Sequence, residues 1–121
     1  MAVSAPATSL ETGECANDVS EQNIYVCSKE MLERADAELN EIYRRRQNDI
    51  AQSYRHDPAA GKMLLEHLKK SQRSWIPLRD ENCRMESFFV DDQAPAYEVI
   101  NNDCIARESR SRTDYLKGLK F

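Results

Sequence analysis

The stretch LLEHLKKSQRSWIPLRDENC, residues 64–83, decides the fold. It holds the single tryptophan, and its Leu65, Leu68, Gln72, Trp75, Arg79 and Cys83 recur at steps of three or four, which places them on one face of a helix. That face is apolar at its start and hydrogen-bonding towards its end. Gln72, Arg79 and Asp80 beside a tryptophan are costly to bury without partners, so neighbouring helices are expected to surround this face with a specific polar network.

Just upstream, Asp57 followed by Pro58 is a strong helix start. The aspartate can accept a first-turn amide, and proline lacks only a donor that the first turn does not use. A helix is therefore expected from Pro58 to about Ser87, passing Gly61. Pro77 interrupts it, lacking the N–H that would bond to the Arg73 carbonyl and crowding that oxygen, which predicts a kink or restart just after Trp75.

Before it, Ser20 is a suitable N-cap with Glu21 in the first turn, and Ile24, Cys27, Met31, Ala35, Leu39, Ile42, Arg46 and Ile50 follow at helical steps. This first helix is expected to end near His56. Glu30, Glu33, Asp36, Glu38 and Glu41 with Arg34 and Arg44 to Arg46 form its solvated outer face. The short link to Pro58 makes the second helix antiparallel to the first. FFVDDQAP, residues 88–95, breaks the helical pattern. A third helix is expected from Pro95 to about Lys117, with Tyr97, Ile100, Cys104, Ile105, Glu108, Arg112, Tyr115 and Leu119 along one side and Gly118 near its end. The fold class is thus all-α: an antiparallel bundle of three main helices stapled by two disulfides, with an irregular N-terminal segment.

With 121 residues, 40% hydrophobic and 31% charged, the composition is that of one soluble globular domain with a real core. We assign 1–14 to a flexible N-terminal segment and 15–121 to a single helical domain. The longest apolar runs fall far short of the eighteen or so residues of a membrane-spanning helix. The opening MAVSAPATSLETGE, small and polar, looks like what remains after an export signal has been removed and a methionine added.

Cys15, Cys27, Cys83 and Cys104 are an even set in a small domain, which reads as two disulfides and an oxidising compartment. Zinc sites usually bring two cysteines within a few residues of each other, and here no pair is closer than twelve positions. Of the three possible connectivities, Cys15 with Cys27 and Cys83 with Cys104 is favoured because each bridge joins neighbouring parts of the chain. Net charge is −4 and unevenly spread: nine acids against two bases over 1–42, ten bases against five acids over 43–85, and seven acids against five bases over 86–121. This pattern argues for charge pairing between adjacent helices and against a nucleic-acid protein, which needs an uncompensated basic face. His56 and His67 make neither a metal pair nor a catalytic set. No phosphate-binding glycine loop, haem-attachment motif or serine elbow occurs, so neither catalysis nor a cofactor is expected.

The order of these motifs resembles a bacterial cell-envelope family named after the lysozyme inhibitor LprI. The likeness rests on Leu39, Asn40 and Tyr43 in the first helix. It continues with Gln72, Trp75, Arg79, Asp80 and Cys83 in the second, and with Arg112, Thr113 and Leu116 in the third. It covers about residues 15–119. Family members often carry glycines where this chain has FFVDDQAP, and Pro77 falls inside the second motif. The resemblance implies a small disulfide-bearing helical domain, periplasmic or otherwise exported to the envelope, with lysozyme inhibition in one branch. Asn40, Tyr43, Gln72, Trp75, Arg79, Asp80 and Arg112 are then expected as a polar-aromatic core network or, failing that, a pocket.

Two functions compete. One is an inhibitor or binder of a basic lysozyme, with Phe88 and Phe89 as an exposed anchor and Asp91 and Asp92 as an acidic rim. The other is a non-inhibitory envelope module that binds another envelope protein or a small ligand beside Trp75 and Arg79.

Overall fold

The computed structural model describes Cys15 and residues 20–121, apart from the Glu21 side chain. The segment 1–14 expected to be flexible lies outside these residues. Helix α1 spans Glu21–Ser53, α2 Pro58–Ser87 and α3 Pro95–Gly118, and no strand occurs among the described residues. The chain is all-α, as its periodicity requires.

Local chemistry sets the boundaries. The Ser20 hydroxyl accepts the Asn23 amide at 3.1 Å, capping α1. At the other end the Tyr54 amide donates to the Ile50 carbonyl and the Asp57 amide to the Tyr54 carbonyl, so α1 stops three residues short of His56. The Asp57 carboxylate then accepts the Ala60 amide at 3.3 Å and Pro58 opens α2. Gly61 is buried here because the chain turns back so tightly: a Cβ on it would lie 2.9 Å from the Tyr54 Cβ.

Pro77 does not restart the helix, since α2 continues through it to Ser87. The residue is exposed. The carbonyl it leaves without a donor belongs to Arg73, also exposed, so water can replace that bond while Gln72 and Cys83 on the opposite face stay buried.

Helix directions follow from contacts between elements. Ser28 meets Asn102 and Arg46 meets Leu119, so α1 and α3 run parallel. Cys83 meets Cys104, Arg79 meets Ser109 and Gln72 meets Arg112, so α2 runs opposite to α3. Both bridges have the favoured connectivity, Cys15–Cys27 and Cys83–Cys104, each with 5.5 Å between Cα atoms. The first ties the entering chain to α1. The second ties α2 to α3.

Apolar burial falls into two clusters. Met31, Ala35 and Ala106 pack with Cys15 at one level, while Leu39, Ile42, Ile50, Leu68 and Leu116 pack lower down with Tyr43, Tyr54 and Trp75 against them. The stripe expected on α3 is only partly right. Its buried residues are Cys104, Ala106, Ser109, Thr113 and Leu116, whereas Tyr115 is 56% exposed. The reason is that α3 packs chiefly on α1, and small side chains on both helices permit that approach.

Charge pairing also differs from expectation. Glu41 pairs with Arg44 and Arg45, Asp49 with Arg46, and Glu81 with Arg84, all within one helix. Arg107 to Glu86 crosses from α3 to α2 at 2.6 Å. Exposed pairs of this kind contribute well under about 1 kcal/mol each, so the bundle is held by burial and its bridges. No helix among the described residues is long and apolar enough to cross a membrane.

Candidate functional site

The α2–α3 contact is built in two storeys, a polar seam that begins at mid-α2 and an exposed tip where α2 passes into α3. In the seam, Trp75 is half-buried between two guanidiniums, with the Arg79 carbon 5.1 Å and the Arg112 carbon 5.6 Å from the ring centroid. Arg79 also binds Asp80 at 3.0 Å and reaches across to the Ser109 hydroxyl at 3.3 Å. Arg112 donates to the buried Gln72 at 2.9 Å and to Ser71 at 2.7 Å, and stacks on Tyr115 at 5.1 Å. Burial holds the Arg112 guanidinium below its ordinary range, an effect that Tyr115 partly offsets.

Five of the seven residues expected in this network therefore meet: Gln72, Trp75, Arg79, Asp80 and Arg112. Tyr43 packs against the same apolar cluster as Trp75. Asn40 does not join them. It is exposed and bonds to Asp36 one turn back on its own helix at 3.4 Å, because its position on α1 points away from the stripe that Leu39 and Ile42 bury. Ser71, Ser109 and Tyr115 complete the network; Tyr115 shares the expected side of α3 with Arg112, whereas the two serines carry no signal in the sequence. Serines at helical spacing look like solvent positions until a long guanidinium is seen to reach them.

Above the seam, the buried Cys83–Cys104 bridge and Ser87, whose hydroxyl donates to the Cys83 carbonyl at 2.9 Å, fix the last turn of α2. The tip then turns over. Val90 donates to Ser87, Ala94 donates to Asp91, and the Asp91 carboxylate accepts the Gln93 amide at 2.9 Å. Phe88 and Phe89 project from this turn 86% and 79% exposed, with Met85 at 70% one turn below. Asp91 and Asp92 are exposed beside them. The aromatics do not tuck back onto the core; the buried positions of this stretch are Cys83 and Ser87.

A model of the family described as "Lysozyme inhibitor LprI" matches residues 14–116. The chain belongs to this family. Among curated proteins, the uncharacterized protein R02472 of Rhizobium meliloti (strain 1021) is 32% identical over 126 residues, covering 95% of this chain and 85% of its own length. No solved structure matches at a significant level. The matched span of the LprI-family protein takes in the Cys15–Cys27 bridge, the seam and the tip together.

No cluster of potential metal ligands occurs among the described residues. Four surface depressions lie between Glu38 and Lys117, between Ile50 and Leu65, beside Arg46 and Phe121, and between Leu64 and Phe121. None of these four is lined by Trp75 or Arg79, whose facing surfaces are already occupied by one another.

Proposed function

We propose that the protein binds and inhibits a basic lysozyme through the α2–α3 tip, and that it acts outside the cytoplasm. The observation that carries this reading is the pair Phe88 and Phe89, almost wholly exposed on a turn that is pinned from below, in a member of a lysozyme-inhibitor family. Exposing two adjacent phenylalanines on a fixed turn forgoes burial worth about 1.5 to 3 kcal/mol per side chain, a cost a contact surface would recover on binding. A pinned turn also avoids much of the ordering entropy of association. Asp91 and Asp92 beside the anchor, with a net charge of −4 on the whole chain, complement a cationic partner and raise the encounter rate. Two disulfides fit an oxidising compartment.

A lysis assay with a basic lysozyme tests the proposal. Inhibition is expected to weaken as salt is raised, since exposed charges are screened over about 10 Å at 0.1 M. Phe88→Ala with Phe89→Ala should chiefly speed dissociation, and Asp91→Asn with Asp92→Asn should chiefly slow association, both with native helicity and melting temperature. Unchanged lysis at large molar excess and low salt would overturn inhibition, and a pull-down from envelope extract would then ask whether the tip holds another envelope protein.

A further inference from the structure

At the opposite end of the bundle, a notch of about 290 Å³ opens between the last turn of α1 and the first two turns of α2. It lies roughly 45 Å from the tip, the length of the 30-residue α2. Its walls are apolar: Ile50, Ala51 and Tyr54 from the α1 side, Pro58 and Leu65 from α2. Gly61 brings the Tyr54 ring against α2, since any Cβ there would collide with Tyr54. Two cations, Arg55 and Lys62, stand at its rim.

Neither cation is paired with a described carboxylate. Arg55 donates one N–H to the Gln52 carbonyl at 3.0 Å, leaving most of its fork unused. Of the acids near them in the chain, Asp49 pairs with Arg46 at 2.9 Å, Asp57 accepts the Ala60 amide at 3.3 Å, and Glu66, one turn beyond Lys62, makes no ion pair with it. An apolar hollow with two unpaired cations at its mouth is complementary to a molecule with an apolar body and an anionic head. A volume near the lower end of the range for ligand sites, about 300 Å³, points to one short chain rather than a two-chain lipid.

We propose that this notch binds a single-chain anionic amphiphile, a carboxylate carried on a short apolar chain, with the chain against Tyr54 and Leu65 and the head between Arg55 and Lys62. The site is independent of the tip, and stands or falls separately from lysozyme inhibition.

Titration of the full-length ¹⁵N-labelled protein with sodium decanoate, below its aggregation concentration, tests the site. Saturable shifts are expected at Ala51, Tyr54, Arg55, Gly61 and Lys62, and none at Phe88 or Phe89. Arg55→Gln with Lys62→Gln should weaken binding by about tenfold, the equivalent of about 1.4 kcal/mol from two rim charges. Ala51→Leu, at an exposed wall position, should block the chain. If Ala51→Leu disturbs the fold, the charge variant decides alone. Decyltrimethylammonium should bind more weakly than decanoate, and vesicles of two-chain anionic lipid should not bind. Non-saturable shifts, equal affinity for the cationic amphiphile, unchanged binding by either folded variant, or binding to the vesicles would each overturn the proposal.

Discussion

The two sides of α3 are attached by different physics. Towards α1 it offers Ala106 and Leu116, both wholly buried, against Met31, Ala35, Leu39 and Ile42. Towards α2 it offers a disulfide at Cys104, an ion pair at Arg107, and hydrogen bonds at Ser109 and Arg112 around a half-buried tryptophan. One contact is stabilised by apolar area and close packing. The other is stabilised by a covalent bridge and directional bonds, and its bridge end adjoins the tip. The contrast implies that the α1–α3 pair supplies most of the stability, while the α2–α3 seam fixes geometry where function is proposed.

Leu116→Ala should then have the largest effect. Its side chain is fully buried, and the lost transfer energy plus the cavity should cost about 4 kcal/mol in a denaturant melt. A loss below about 1 kcal/mol would show that the lower cluster collapses around the gap and is not what holds the helices together.

Replacing Cys83 and Cys104 together with serine should cost about 3 kcal/mol, the loop-entropy value for a bridge closing 21 residues. Amide exchange should quicken along α2 and at the tip more than in α1. Uniform quickening would mean that the two contacts form one cooperative unit and are not separable in stability.

Trp75→Ala should be smaller still. A wholly buried aromatic typically costs about 3 to 5 kcal/mol, but Trp75 is incompletely buried and lies against two arginines that would remain, so about 2 kcal/mol is expected. A value as high as that of Leu116→Ala would make the seam an equal partner in the core.

Much of this was legible in the chain. Ser20, Asp57 and Pro58 marked helix starts because capping is local chemistry that needs only the next three residues. The α1 stripe from Met31 to Ile50 was legible because large apolar side chains at helical spacing have one place to go. In the seam, Gln72, Trp75, Arg79, Asp80 and Arg112 were readable as a group, while Ser71 and Ser109 were not. Their membership depends on how far an arginine on another helix extends.

What the sequence determined by itself was the order and the starts of the helices, since periodicity, capping and proline placement act within a few residues. The tertiary structure alone decided which side of α3 is innermost. Its small residues Ala106 and Thr113 carry almost no hydrophobic signal and are buried where α1 approaches closely. It also decided that Phe88 and Phe89 face solvent. A pair of phenylalanines in a connection reads equally well as core or as contact, and only the packed bundle shows that the buried positions beside them are Cys83 and Ser87.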